Sequence, residues 1–355
     1  MDKYQIDSHK LMFHVERVND WLHGETICPI YMEISPVGNC NHRCTFCGVD
    51  FMGYQNRKLD TELLKTRLTE LGEFGLKSVM YAGEGEPLLH RDMVSIAQHT
   101  KQAGIDVAFT TNAVRLTESV ARELLPCTSW IKVSINAGSA ETYAAIHRAK
   151  ARDFQRVIDN CKRAAEIRQA LGAACTLGMQ LVLLPENREE AASLAEIARD
   201  IGMDYLVIKA YSQHTQGIQD TYRDIHYADS EAFAAQLASY ETDAFQVIVR
   251  TKSMASWNQK ERTYEQCQSL PFWSYIDAGG NVWGCSVYLE DENFHYGNIA
   301  ESSFKAIWHG EKRKQSLRYV AHDLDLERCR VNCRMHQVNE YLWALSHRPA
   351  HVNFI

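Results

Sequence analysis

Three cysteines within residues 39–48, Cys40, Cys44 and Cys47, stand in a C-x3-C-x2-C spacing followed at once by Gly48, and they constrain this chain more than any other feature. A loop this short can wrap three corners of a [4Fe-4S] cube. Such cubes are normally held by four thiolates, so a loop offering three leaves one iron open to a ligand that is not protein. That describes a reactive cluster rather than a plain electron carrier. The competing chemistry is zinc, but zinc loops favour C-x2-C pairs with a fourth Cys or His nearby, and His42, inside the loop, fits neither arrangement.

Composition agrees with an ordinary enzyme. The 355 residues are 45% hydrophobic and 23% charged, enough for one large core and a smaller second one. Eleven cysteines would suggest disulfides in a small secreted protein, but residues 1–6 are not an apolar leader and no long apolar span follows. The expectation is a cytoplasmic protein with no membrane segment, its thiols reduced and ligating metal. A net charge of -7 and a pI near 6.1 give no electrostatic reason to expect a nucleic-acid partner. The basic run Lys312 to Lys314 reads as a solvated helix face.

Short apolar runs at 30–34, 78–82, 106–110, 130–135, 178–184 and 205–209 read as strands. They alternate with amphipathic stretches at 60–74, 93–103, 117–125, 139–171 and 188–201. Six strands alternating with helices imply parallel β/α units, which the right-handed crossover rule curls one way. The expected fold class is α/β, a partial (β/α)6 TIM-like barrel. Chemistry in such barrels collects at the strand C-termini, and the cysteine loop follows the first strand.

On these residues the chain resembles the radical S-adenosylmethionine (radical SAM) family, whose members bind SAM at the open iron and cleave it to a 5′-deoxyadenosyl radical. After the second strand, Gly83-Glu84-Gly85-Glu86-Pro87 resembles the family's motif for the SAM amino group. Gly83 and Gly85 would let backbone approach a ligand closely and Glu86 would meet the ammonium. Many members have two adjacent glycines here, which leaves Glu84 without a role from the motif. Thr111 and Asn112 after the third strand, and Ser134 and Asn136 after the fourth, resemble SAM-contacting positions; Arg148 is a candidate for the SAM carboxylate. The polar cluster ending the sixth strand, Lys209, Tyr211, Gln213 and His214, could line a substrate pocket.

The later cysteines set the subclass. Cys267 and Cys285 are followed by Cys329 and Cys333, and the Gly279-Gly280-Asn281 turn before Cys285 reads as a β-hairpin. This resembles the twitch domain, the shortened SPASM extension, a small C-terminal α+β unit whose four cysteines would hold one auxiliary [4Fe-4S] cluster. Zinc at four thiolates is the alternative. The expected organisation is a helical lead-in at 1–29, the barrel at 30–215, a helical linker at 216–262, the twitch/SPASM-like domain at 263–340 and a tail at 341–355. Cys28, Cys127, Cys161 and Cys175 read as small buried hydrophobes away from the radical.

The resemblance implies two [4Fe-4S] clusters, SAM, and an electron-donating reductase such as flavodoxin or ferredoxin. The favoured reaction is oxidation of a secondary alcohol on a sugar, cyclitol or similar small molecule, the auxiliary cluster accepting the electron and Lys209, Tyr211 or His214 the proton. Alternatives are a peptide-modifying maturase, disfavoured because only about 30 residues precede the first strand, and a non-enzymatic iron-sulfur redox protein.

Overall fold

The computed structural model describes residues 3–330 and 332–354. Its strands are β1 (Tyr31–Ile34), β2 (Ser78–Tyr81), β3 (Asp106–Thr111), β4 (Trp130–Ser134), β5 (Thr176–Leu183), β6 (Tyr205–Ala210), β7 (Gln246–Val249), β8 (Trp273–Ile276), β9 (Asn281–Trp283) and β10 (His295–Asn298). They form one ten-stranded sheet ordered β10-β9-β8-β1-β2-β3-β4-β5-β6-β7. All pairings from β8 through β1 to β7 are parallel, while β8, β9 and β10 form an antiparallel meander. The sheet is therefore an open α/β barrel wall with a small α+β extension.

The helices are α1 (Val15–Leu22), α2 (Thr61–Phe74), α3 (Met93–Gln102), α4 (Glu118–Leu124), α5 (Ala140–His147), α6 (Arg152–Leu171), α7 (Ala191–Asp200), α8 (Ser230–Leu237), α9 (Thr251–Gln259), α10 (Phe304–His309), α11 (Glu311–His322) and α12 (His336–Ser346). Local chemistry sets their starts: the side chains of Asp60, Thr117 and Ser139 accept from the amides of Leu63, Val120 and Thr142. Strand alternation sorts the two faces of the sheet. Met32, Ile34, Val79, Phe109, Ile131 and Leu181 join the helices in one apolar core, whereas Glu33, Lys132, Gln180 and Lys209 point into the barrel.

Three expectations need correction. The stretch at 216–262 is not wholly helical: β7 extends the wall to a seventh consecutive parallel strand, a run of four residues too short to stand out in the sequence. The amphipathic stretch at 139–171 is two helices, broken at Arg148, whose φ of 47° is left-handed. The break leaves the carbonyls of Ile146 and His147 free to accept from the amides of Thr45 and Arg43 in the cysteine loop. Finally, α12 runs across residue 340, and Leu342 on it packs with Leu11, Val18 and Phe272, so the lead-in and the C-terminal helix share a small core.

Inside the barrel Gly178 makes room for an aromatic ring, since a Cβ there would stand 2.0 Å from the ring of Tyr205. Gly178→Ala is expected to lower stability by about 1–3 kcal/mol as an overpacking change. The urea denaturation midpoint measures this, and Tyr205→Leu in the same chain should recover part of the loss; an unchanged midpoint for the single variant would contradict the packing.

Candidate active site

The cysteine loop is held from three sides. Besides the two carbonyls at the end of α5, the carbonyl of Asn39 accepts from Glu86 N at 3.0 Å, and Asn112 Nδ2 donates to Asn41 Oδ1 at 2.7 Å. Gly85 permits the close approach, since a Cβ there would lie 2.1 Å from the Asn39 carbonyl oxygen. The glycines that were expected to admit a ligand thus first admit the loop. Gly83, with φ at 109°, likewise leaves space for the Tyr275 hydroxyl and Ser35.

Cys40, Cys44 and Cys47 face a cavity of about 330 Å³ at the strand C-termini. Burial, then the Glu86 carboxylate, pushes the Cys40 thiol up to about 12; burial and the other two sulfurs drive Cys44 well above its ordinary value, and burial raises Cys47. Three half-buried thiols, two of them raised by their neighbours, ionise together more readily with a cation among them. This donor set fits a metal cluster. His147 Nδ1 lies 3.1 Å from Cys44 Sγ while its Nε2 donates to the Ile135 carbonyl at 2.8 Å, and burial lowers this imidazole to about 3. His42, Cys44 and His147 bring their ligating atoms within 4.8 Å of one another. Nothing in the spacing pointed to His147, which is 103 residues from Cys44.

Glu86 closes the second strand onto the third. Its carboxylate accepts from Leu88 N at 3.1 Å and Asn112 N at 2.7 Å, and from the Thr111 hydroxyl at 2.5 Å. Burial raises its pKa and these donors pull the other way. Three of roughly four lone-pair sites are used, which leaves one for a ligand ammonium. Glu84 plays a different part. Its carboxylate pairs with Arg57 at 2.7 Å and accepts from Ala278 N at 2.8 Å, tying the loop region to the turn between β8 and β9.

Of the residues expected at the site, Gly83, Gly85, Glu86, Thr111, Asn112, Ser134, Lys209, Tyr211 and His214 line this one cavity together with the three cysteines. Asn136 is fully buried beside it, its Oδ1 accepting from Val182 N at 2.8 Å. Arg148 is exposed at the end of α5 and donates to Gln219 Oε1 at 3.2 Å. Neither is on the cavity wall. Wall residues missed in the sequence are Glu33, Lys132, Gln180, Arg330 and Arg334; for the first three the available signal was a polar side chain inside an otherwise apolar strand, and for the two arginines, which lie outside the strands, there was none.

His214 and Lys209 differ sharply in availability. The Nε2 of His214 donates to the Ser286 carbonyl at 3.2 Å and its Nδ1 accepts from Gln216 N at 3.1 Å, with burial lowering it to about 4. Among the described residues Lys209 has no hydrogen-bond or ion-pair partner, and burial, then Lys132, holds its pKa well below the usual lysine range. The Tyr211 hydroxyl donates to Gln213 Oε1 at 2.6 Å.

Cys267, Cys285, Cys329 and Cys333 converge on a second, apolar cavity shared with Trp273, Tyr288 and Phe294. The amides of Val287 and Met335 point at Cys285 Sγ and Cys333 Sγ at 3.5 and 3.4 Å, the kind of donor that supports a ligating thiolate. Burial drives Cys285 well above its ordinary value, and each of the other three sulfurs adds to it. Four converging thiols fit a fully ligated cluster. By contrast, Cys28, Cys127, Cys161 and Cys175 are buried in the main core.

Comparison with known families matches residues 34–198 to the Radical SAM superfamily and residues 267–334 to SPASM, an iron-sulfur cluster-binding domain. The chain is a radical SAM protein with a C-terminal SPASM-type domain. Its cofactors are accordingly [4Fe-4S] clusters and SAM. Curated relatives include a probable GTP 3′,8-cyclase of Saccharolobus solfataricus, 31% identical over 166 residues, 46% of this chain and 51% of that protein. Another is the probable GTP 3′,8-cyclase of Methanocaldococcus jannaschii, 28% identical over 181 residues, 50% of this chain and 58% of that protein. The chain thus spans about half the length of the curated relatives it matches. Among solved structures, Streptococcus suis SuiB bound to S-adenosylmethionine matches with a TM-score of 0.66 at 18% identity, covering 84% of this chain and 70% of that one. Native anSMEcpe with bound AdoMet matches at 0.60 and 16%, covering 88% of each chain. These two likenesses establish the radical SAM fold. No helix among the described residues is long and apolar enough to cross a membrane.

Two outcomes follow for the thiols and for Glu86. Anaerobic reconstitution should load about eight irons per chain, and replacing Cys40, Cys44 and Cys47 by alanine, or the other four, should each leave about half; zinc at the second set, counted by elemental analysis, would contradict this. Glu86→Gln removes one acceptor oxygen and the charge, and is expected to weaken SAM binding about 10- to 100-fold at unchanged iron content. Equal affinity in equilibrium dialysis would remove Glu86 from the SAM site.

Proposed function

We propose that this radical SAM enzyme is an oxidoreductase that converts a secondary alcohol of a sugar, cyclitol or similar small polar molecule to a ketone. One observation carries the reading: Arg330 and Arg334, on the loop around Cys329 and Cys333, line the same cavity as Cys40, Cys44 and Cys47. Cys40, Cys44 and Cys47 would hold a cluster that with SAM would supply radical chemistry for removing the carbinol hydrogen, and Cys267, Cys285, Cys329 and Cys333 would hold one able to accept the remaining electron. The protein's own share is to orient the substrate, exclude water and take the hydroxyl proton. Lys209 is the proposed acceptor, because its amine lines the cavity, is unpartnered among the described residues and has a lowered pKa, whereas both nitrogens of His214 are engaged. Tyr211, at the end of β6, is proposed to contact the substrate hydroxyl. Thr111, Asn112 and Ser134 line the wall beside Glu86 and are proposed SAM contacts; Asn136 is tied to β5 through Val182 N and is not on that wall, and Arg148 would reach SAM only by a change of side-chain position. The electron donor is proposed to be a flavodoxin or ferredoxin, and the location cytoplasmic.

A second reading follows from the curated relatives, named as probable GTP 3′,8-cyclases, and would make the product an isomer of its substrate. Mass separates the two. Oxidation should give a product two mass units lighter than the substrate with one 5′-deoxyadenosine per product, and Lys209→Met should lower kcat by about 10²-fold or more. A mass-conserved product, deuterated or not in heavy water, would exclude oxidation; deoxyadenosine release on adding GTP would favour cyclisation, and release on adding a precursor peptide would favour peptide modification.

A further inference from the structure

The barrel interior holds a cation that nothing nearby among the described residues neutralises. Lys132 sits at the centre of β4, in register with Thr110 and Gly178, and lines the cavity. Among the described residues its ammonium has no hydrogen-bond or ion-pair partner and lies 5.6 Å from the ring of Trp130. Arg330 donates to the Ser212 hydroxyl and carbonyl, and Arg334 pairs with Glu33. Each guanidinium has five N–H donors, so both retain donors for a ligand. Even with Lys209 taken as a neutral amine, three cations on the wall face two carboxylates, Glu33 and Glu86. SAM and the first cluster cancel, +1 against -1, while the four-thiolate set lies next to Arg330 and Arg334 and supplies them with negative charge, so the cation left without a counter-charge is Lys132. An uncompensated charge in a low-dielectric cavity is costly, and desolvation there already lowers Lys132 to about 8.

Resting on the reading of this cavity as the substrate's, we infer that the substrate carries an anionic group, a carboxylate or a phosphate, received by Lys132 together with Arg330 and Arg334. Of these three groups, Arg330 lies within the C-x3-C loop of the SPASM-type domain and Arg334 directly follows it. The anion would therefore be gripped between the barrel wall and that domain, which orients the rest of the molecule toward the cysteine loop. Phosphate suits the arrangement, since a planar guanidinium can meet two of its oxygens at once and an ammonium a third.

The same cations could instead serve the carboxylate of SAM, and calorimetry separates the two. The probe is inorganic phosphate, titrated anaerobically into the protein with both clusters and saturating SAM in place, with uncharged trimethyl phosphate as the control. Phosphate should bind at one site, trimethyl phosphate should not, and Lys132→Met should weaken phosphate binding about 10-fold or more while Lys132→Arg keeps it within about threefold. Iron content and SAM affinity should stay unchanged in both variants. Absence of phosphate binding, displacement of phosphate by SAM, or equal binding of the neutral ester would overturn the inference, and these three use the unaltered protein. Undiminished phosphate binding in Lys132→Met would overturn it as well. Because the readout is binding and not turnover, a failure of alcohol oxidation leaves this result standing, and the converse.

Discussion

Strand β1 is hydrogen-bonded along both edges, and the geometry of the site depends on that double pairing. Tyr31 is in register with Ser78 of β2 on one side and with Trp273 of β8 on the other, both parallel. The four-thiol domain is consequently a continuation of the barrel sheet and not a separate unit on a tether. Two buried carboxylates reinforce the join: Glu33 pairs with Arg334 across it, and Glu84 bonds both Arg57 and the turn after β8. Buried ion pairs contribute little net stability, but removing one partner strands a charge, so each fixes where the C-terminal loops lie. The placement of Arg330 and Arg334 on the cavity wall follows from this.

The wall's alternation divides the labour within each strand. Outward side chains are apolar and are consumed by packing against the helices; the inward ones include Glu33, Lys132, Ser134, Gln180 and Lys209 beside Met80, Ala82 and Val182 and are left to a cavity. Low dielectric then acts on everything there in a consistent way, raising the thiols and Glu86 and lowering the lysines and the histidines. Each shift disfavours a charge in the protein alone. The groups recover their charges when iron, SAM and substrate supply the opposite sign, so filling the site and ionising it are one process.

Much of this was legible in the chain. The six strand runs fall within one or two residues of the observed ones, and Asp60, Thr117 and Ser139 mark helix starts as their side-chain oxygens require. The two cysteine sets were legible because metal chemistry imposes short spacings. The strand β7 was not, since a four-residue edge strand carries too little periodicity to register. Nor was the break at Arg148: residues 139–171 continue an amphipathic pattern, and the helix stops there because the cysteine loop, a hundred residues earlier, takes its last carbonyls.

By itself the sequence determined the iron-sulfur chemistry, through thiol spacing, and the parallel α/β wall, through alternation of short apolar runs with amphipathic ones. Both are short-range properties, readable from neighbours within a few residues. Only the tertiary structure decided that Glu84 braces the hairpin while Glu86 joins the strand ends beside the cysteines, although the two occupy equivalent places in one motif. It also decided that Lys132, Arg330 and Arg334 meet in one cavity. These residues are separated by up to 202 positions along the chain, and their meeting is set by which strand edges pair, a matter of long-range hydrogen bonding that no local pattern encodes.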